Sequence, residues 1–128
     1  MLLVPTYVAP SKIEGLGLFA AQRIRMGAAI WRFDPILDQI IPVEILDRYP
    51  PGVRDFIRKY TYVPRGTAGF RVLDCDNGRF MNHSDDPNTD NSGETTIATR
   101  DIAMGEEITC SYADFIEGFV PGQFEEVE

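Results

Sequence analysis

Short segments that alternate apolar and polar residues make up most of the chain, and clusters of turn residues separate them. Residues 2–8 mix β-branched and aromatic residues around Pro5, a pattern that predicts an edge strand. Residues 70–75 alternate as a strand before an Asp-Asn-Gly turn, and residues 95–99 predict a further strand. The pattern therefore predicts a mainly β domain with short helices, of the α+β class.

The middle of the chain has a helical period instead. Pro42 stands at the start of a short apolar segment that Pro50 and Pro51 end, which predicts a first short helix. A second helix is predicted by apolar residues spaced i, i+3, i+4 and i+7, namely Val53, Phe56, Ile57 and Tyr60. The two helices form a predicted insert over about residues 42–62, between short strands.

Residues 19–30 and residues 97–108 repeat one pattern. Each segment has an isoleucine near its middle, a Met-Gly pair after it and a closing isoleucine. Each copy predicts the end of a strand, a core isoleucine, a Met-Gly turn and the start of a new strand. The second copy is expected to continue as a strand over residues 108–112. Two such units favour a sheet-rich domain.

Length and composition are those of one ordinary globular domain. The 128 residues, 44% hydrophobic and 25% charged, are enough for one core, so we expect a single domain over residues 1–128. No apolar run reaches membrane-spanning length, and the first residues lack the layout of a signal peptide. We therefore expect no membrane partner and an intracellular location, the cytoplasm first and the nucleus as the alternative.

The net charge of −8 narrows the choice of partners. Binding to phosphates needs a face rich in lysine and arginine, so we expect no direct nucleic-acid partner. The charge favours a basic protein or peptide, although acidity that only maintains solubility explains it equally well. Cys75 and Cys110 form no CxxC pair and one histidine could assist them, so we expect no metal site. They are either buried thiols or a disulfide.

Residues 79–88 contain the strongest candidate for a site. Asn82 and His83, the only histidine, follow two apolar residues and precede a cluster of Ser, Asp, Pro and Asn. Such polar residues either brace a turn or face a ligand. Residues 15–17, Gly-Leu-Gly, likewise allow either a tight turn or a close approach of backbone to a ligand. They lack the third glycine of a dinucleotide site.

Three segments in this order resemble the SET-domain protein lysine methyltransferases: residues 15–20, residues 79–88 and residues 103–112. The resemblance spans about residues 11–115, and the chain resembles a minimal, zinc-free member. It implies a β-clip-like fold of several small curved sheets, in which the C-terminal strand threads beneath a preceding loop as a pseudoknot. The threading would bring the second segment beside Tyr112.

The sequence departs from that family at two places. Asp85 stands where the family often has cysteine, and the C-terminal cysteine triad that completes a zinc site with it is missing. A C-terminal tail over about residues 113–128 is left to cover the lysine channel. Its aromatic residues either form this cover or only dock on the core: Phe115, Phe119 and Phe124.

The resemblance implies S-adenosylmethionine as the methyl donor and S-adenosylhomocysteine as the product. The backbone of residues 15–17 would wrap the cofactor, and Lys12 would lie near its carboxylate. Asn82 would bind the amino acid part, and the backbone at His83 would reach the adenine. Six residues are therefore assigned to the cofactor: Lys12, Gly15, Leu16, Gly17, Asn82 and His83.

Tyr112 matches the family tyrosine whose hydroxyl lies beside the transferred methyl group, so it is the predicted catalytic residue. The alternative is a strand aromatic in the core. Methyl transfer is an in-line displacement that needs no metal, and alignment can supply ~7–11 kcal/mol of the barrier. A phenol can orient the amine without taking a proton. A sulfonium nearby and a dry channel lower the pKa of a substrate lysine.

The predicted lysine channel is formed by four residues: Tyr60, Tyr62, Cys110 and Phe115. Aromatic faces suit a cationic substrate, although Tyr60 also fits the core stripe of its helix. Cys110 lies two residues before Tyr112 and is small, which leaves room for more than one methyl group. Glu107 is expected to support the fold.

The leading function hypothesis is a protein lysine methyltransferase that acts on a basic protein or peptide, with a homodimer as one way to complete the channel. An alternative from another class is a catalytically inactive SET-like module that binds a basic peptide. A third is an acidic interaction domain with coincidental motifs. Tyr112 together with Asn82 and His83 favours the enzyme, because an inactive module has little reason to keep all three.

Overall fold

The computed structural model describes residues 1–64 and 69–114, in which short strands dominate. The strands in chain order are β1 Thr6–Pro10, β2 Leu16–Ala20, β3 Ala29–Arg32, β4 Gln39–Pro42, β5 Thr61–Tyr62, β6 Phe70–Leu73, β7 Asn82–His83, β8 Thr89–Asp90, β9 Thr95–Ala98 and β10 Thr109–Cys110. The helices are α1 Pro51–Tyr60 and the 3-10 helices Val43–Arg48, Asn77–Phe80 and Tyr112–Asp114.

The strands of these two ranges form four small sheets. β1 pairs with β2, and the orders β4-β6-β5 and β3-β9-β8 describe two three-stranded sheets, all antiparallel. β7 and β10 pair in parallel. The predicted fold class, mainly β with short helices, is confirmed. In the described part of the chain, no helix is long and apolar enough to cross a membrane.

The two repeated segments join through reciprocal backbone hydrogen bonds. The Ile24 N–H donates to the Ile102 carbonyl and the Ile102 N–H donates to the Ile24 carbonyl, each at 2.8 Å. Both isoleucines are buried. Gly27 and Gly105 share a φ of +87°, the left-handed conformation that a Met-Gly turn needs here. The repeat is therefore two matched turns that face each other across one core.

The same symmetry extends to the flanking strands. The Gly27 N–H donates to the Ala98 carbonyl and the Gly105 N–H donates to the Ala20 carbonyl, each at 2.8 Å. Both copies contribute to the main core cluster: Leu18, Ala20, Ile24, Ile30, Ala98, Ile102 and Ile108. Because neither copy could bury its apolar side chains alone, the two form one folding unit.

The helical insert is present, with two differences from the sequence prediction. Its first helix is of the 3-10 type, and the apolar stripe of α1 is only partly buried. Ile57 is 7% exposed, whereas Val53 and Phe56 are 42% and 41% exposed. The guanidinium of Arg79 lies 5.7 Å from the centre of the Phe56 ring and covers part of it.

Two predicted strands are shorter than their patterns. The strand predicted over residues 70–75 stops two residues early, because the Cys75 N–H donates to the Asp38 carboxylate at 2.8 Å instead of a neighbouring strand. The strand predicted over residues 108–112 shortens to β10, because only its two residues pair with β7. Tyr112 consequently begins a 3-10 helix and does not lie on a strand.

Replacing either turn glycine by alanine should destabilise the fold. A Cβ would meet nothing within 4 Å at Gly27 and only the Tyr7 hydroxyl, at 3.8 Å, at Gly105, so the positive φ is the main cost. We expect each of Gly27→Ala and Gly105→Ala to lower the free energy of unfolding by roughly 1–2 kcal/mol. Urea denaturation measures this.

Gly52→Ala is the matched control, because Gly52 lies in α1, has no positive φ and has open space around its Cβ position. It should leave the stability unchanged or raise it by up to about 1 kcal/mol. Equal losses at all three glycines would contradict the explanation.

Candidate functional site

The buried side chain of Asn88 fixes the C-terminal segment against the turn that carries β7. Its Oδ1 accepts from the Thr109 N–H at 2.8 Å, and its Nδ2 donates to the Glu107 carbonyl at 2.8 Å. These bonds hold β10 parallel to β7. Two segments that are distant in sequence thereby become neighbours.

The Asn82 side chain joins this pair of strands to the loop between β1 and β2. Its Nδ2 lies 3.2 Å from the carbonyl oxygens of Glu14 and Leu16 and 3.0 Å from Glu107 Oε2. The Ser11 hydroxyl donates to the same Glu107 carboxylate, at 2.8 and 2.9 Å from its two oxygens. The Glu107 carboxylate therefore binds the start of the loop through Ser11, and Asn82 links the same carboxylate to the far end of the loop.

Gly15 in this loop and Gly17 at the start of β2 are glycines for different structural reasons. Gly15 has a φ of +47°, which the tight turn requires, and its Cβ position is open. At Gly17 a Cβ would lie 2.5 Å from Glu107 Oε2, so the missing side chain makes room for that carboxylate. Gly17 therefore serves the Glu107 network directly.

The His83 ring connects the asparagine turn to Tyr112. Its Nδ1 accepts from the Tyr112 backbone N–H at 3.1 Å, and its Nε2 lies 2.9 Å from Asp85 Oδ1. The His83 and Tyr112 rings are in contact, with centroids 5.2 Å apart and planes at 48°. The histidine side chain consequently has a role in the site besides the predicted one of its backbone.

The phenol of Tyr112 is half-buried and donates to the Met81 carbonyl at 3.3 Å. Burial, with smaller effects of Cys110 and Glu14, raises the pKa of Tyr112 above its ordinary value. Burial is also the main reason that the pKa of the Cys110 thiol is raised. Both groups are therefore neutral at physiological pH, and the phenol is a hydrogen-bond donor.

A cavity of about 1340 Å³ adjoins these groups within the described ranges. Seven of the predicted site residues line it: Gly15, Leu16, Tyr60, Tyr62, Asn82, Cys110 and Tyr112. Three other predicted site residues are not on the cavity wall: Lys12, Gly17 and His83. Lys12 is exposed. Phe115, like Phe119 and Phe124, lies outside the described residues.

The family model for the SET domain matches residues 15–113 of this chain. The chain belongs to the SET-domain family. Among proteins of curated function, none matches it. A solved structure that this SET domain resembles is a Plasmodium falciparum protein described as a candidate histone methyltransferase. The TM-score is 0.56 at 21% identity, with 87% of this chain and 95% of that chain covered.

Two further solved structures come from the Polycomb Repressive Complex 2 of Chaetomium thermophilum. One is an autoinhibited complex bound to S-adenosylmethionine, with a TM-score of 0.63 and 23% identity. The other is a humanised mutant bound to an inhibitor, with a TM-score of 0.62 and 25% identity. Each covers 90% of this SET domain, which spans only 16% of the matched Polycomb chains. The fold is thus that of a methyltransferase domain.

Four aromatic residues of this SET domain that line the cavity contact one another in pairs: Trp31, Tyr60, Tyr62 and Phe80. Tyr60 contacts Phe80 edge to face with centroids 5.4 Å apart, and Tyr62 contacts Trp31 in the same way at 6.4 Å. The Lys59 ammonium lies 5.3 Å from the Tyr60 ring centre. Tyr60 therefore lines the cavity as well as belonging to the helix stripe.

Asp74 is a site feature that the sequence reading missed. The residue is 8% exposed and lines the cavity, and its Oδ1 has no hydrogen-bond partner among the described residues. Burial is the main reason that the pKa of Asp74 rises to about 7. The positive charges of the Met1 amino group and Arg79 lower this pKa, and the negative charges of Asp38 and Asp76 raise it further. The sequence did contain a signal for this residue: Asp74 is a carboxylate in the alternating strand predicted over residues 70–75, at a position that faces inward.

A further residue whose role in the site the sequence did not indicate is Glu107, which was expected only to support the fold.

In the described ranges, no group of three or more His, Cys, Asp or Glu side chains could hold a metal ion. The side chains of Asn82, His83 and Tyr112 are instead held by hydrogen bonds within the protein.

Glu107→Gln and Gly17→Ala should have similar effects, because each disturbs the same carboxylate. We expect each to lower the free energy of unfolding by about 1–3 kcal/mol, from lost or unsatisfied hydrogen bonds. The double variant should lose clearly less than the sum, since the residues share one network. Urea denaturation of all three variants measures the coupling. Strict additivity would contradict the shared network.

Asp74→Asn should change how stability depends on pH. The pKa of Asp74 is raised from 3.8 unfolded to about 7 folded, so between these values only the folded state retains the proton. The stability contributed by this group is full below pH 3.8 and is lost as pH rises through about 7.

We therefore expect the wild type to lose stability between pH 5 and pH 8, by at most about 3 kcal/mol, and Asp74→Asn to lose less. Thermal denaturation at both pH values measures the difference. Asp47→Asn is the control, because the Asp47 side chain is 93% exposed. An identical pH dependence in wild type and Asp74→Asn would contradict the assignment.

Proposed function

We propose that this SET domain transfers a methyl group from S-adenosylmethionine to a lysine side chain of a basic protein or peptide. The observation that carries the proposal is that one cavity is lined both by residues predicted to bind the cofactor and by residues predicted to form the lysine channel. Its volume of about 1340 Å³ exceeds that of an ordinary ligand pocket, which leaves room for two reactants.

The residues of the glycine loop and the asparagine turn fit the cofactor. The Gly15 backbone is open on its Cβ side, and Leu16 and Asn82 line the cavity beside it. S-adenosylmethionine, when bound there, supplies an electrophilic methyl group and leaves as S-adenosylhomocysteine. Asn82 can offer its amide to the amino acid part, in exchange for the carbonyl oxygens that it now contacts.

Tyr112 would orient the substrate amine. Its raised pKa keeps the phenol protonated, so its oxygen can accept an N–H of the amine and leave the nitrogen lone pair free to point at the methyl carbon, without acting as a base. Cys110 is small and uncharged, which favours room for more than one methyl group. Tyr60 and Tyr62 offer aromatic faces to the incoming cation.

The net charge of −8 supports a basic protein or peptide as the substrate and argues against direct binding to nucleic acid. A location inside the cell, and a homodimer that completes the channel, belong to the same proposal.

A second candidate function is an inactive module that binds a basic peptide. It is favoured by one observation: the Tyr112 hydroxyl and the Asn82 amide are both already bonded to carbonyl oxygens of the chain. Calorimetry with S-adenosylmethionine separates the two functions, because the inactive module should bind peptide without binding the cofactor. Incubation with labelled cofactor and host-cell extract would then identify the methylated protein.

Tyr112→Phe should abolish transfer while leaving cofactor affinity near normal. The variant keeps the ring against His83 and removes only the hydroxyl, so turnover should fall by about 10²-fold or more. Single-turnover assays with the labelled substrate, and calorimetry with S-adenosylhomocysteine, measure the two quantities. Unchanged turnover would rule out the assigned role.

A further inference from the structure

The carboxylate of Asp85 contacts His83, the one histidine of the chain. Asp85 Oδ1 is 2.9 Å from His83 Nε2. The Asp85 side chain is 80% exposed and that of His83 only 12%. The carboxylate therefore closes the solvent side of a largely buried ring.

The hydrogen bonds decide which ring nitrogen carries the proton. The backbone N–H of Tyr112 can only donate, and it lies 3.1 Å from Nδ1, so Nδ1 is the acceptor of a neutral ring. Nε2 then carries the proton and donates to Asp85. A continuous set of hydrogen bonds thus runs from Asp85 through His83 to the backbone of Tyr112.

Tyr112 lies beyond the end of β10, so strand pairing does not fix its position and other hydrogen bonds must do so. Tyr112 opens a 3-10 helix, and the first N–H groups of a helix lack partners within that helix. His83 Nδ1 accepts the hydrogen bond from the backbone N–H of Tyr112. At the other end of Tyr112, its hydroxyl donates to the Met81 carbonyl. Two hydrogen bonds, one at each end, set where the phenol lies.

The position of Asp85 is itself well defined. On one side the Ser84 N–H donates to the Cys110 carbonyl at 2.9 Å. On the other side the Arg100 guanidinium donates to the carbonyl oxygens of Asp86 and Pro87, at 3.3 and 3.2 Å. The turn that carries the carboxylate is therefore attached to the body of the domain on both sides.

We propose that Asp85 is a positioning residue for Tyr112. Its carboxylate holds the His83 ring in the orientation and tautomer in which Nδ1 accepts the Tyr112 N–H. Asp85 itself touches neither of the reactants. For turnover the inference rests on the proposed function, whereas its structural part, the placement of Tyr112, stands independently.

Three variants test the inference. Asp85→Asn keeps an acceptor oxygen for Nε2–H, and Asp85→Ala removes it. Asp86→Ala is the matched control, because its side chain is 93% exposed and lies 3.5 Å from Arg100 rather than against the histidine. NMR measures hydrogen exchange of the Tyr112 amide and the imidazole signals, which the single histidine makes unambiguous.

We expect Asp85→Ala to accelerate exchange of the Tyr112 amide and to lower kcat by about tenfold with unchanged KM for S-adenosylmethionine, since only alignment is lost. Asp85→Asn should restore both quantities to within about threefold of wild type, since it keeps the hydrogen bond. Asp86→Ala should match the wild type.

Unchanged amide exchange in Asp85→Ala would overturn the inference, as would an equal effect of Asp86→Ala. If the wild type transfers no methyl group, the proposed function fails, and the exchange measurement alone still decides whether Asp85 positions Tyr112. Asp85→Asn keeps the shape of the side chain, so a folding defect in Asp85→Ala would not prevent the decision.

Discussion

The site depends on a buried side-chain amide. The parallel pair of β7 and β10 is only two residues long, too short to hold two segments together on its own backbone bonds. Asn88, 2% exposed, adds a hydrogen bond on each side of its amide, to Thr109 and Glu107. A buried polar group that loses its hydrogen-bond partner costs more free energy than the bond contributes. We therefore expect few other residues at position 88 to be tolerated.

The side chains of Asn82, His83, Glu107 and Tyr112 are hydrogen-bonded to other groups of the protein. Glu107 holds the asparagine and the glycine loop, and the Tyr112 hydroxyl rests on a backbone carbonyl. These bonds fix the side chains before any ligand arrives, so ligand binding does not include the loss of conformational entropy from ordering them. A ligand would exchange one hydrogen bond for another, which is nearly neutral in free energy. Affinity would then come from shape and apolar contact in the cavity.

Much of this arrangement is predictable from residues close in sequence. The Met-Gly turns at residues 27 and 105 follow from glycine's access to positive φ, and α1 follows from its apolar spacing and its starting proline. Seven of the residues assigned by resemblance line one cavity, although the lengths of the strands around them were overestimated. Tyr112 was expected on a strand, because alternation alone does not tell where pairing stops.

The mainly β class, the paired turns and the candidates for the chemistry could be predicted from the sequence, because each depends on local conformational preference or on a short motif. The folded structure was needed to show that Gly17 makes room for Glu107, that Asp74 is buried with an unpartnered oxygen, and that Asp85 contacts His83 and through it Tyr112. These features arise where segments far apart in sequence come into contact, and burial and hydrogen bonding between such segments have no periodic signal along the chain.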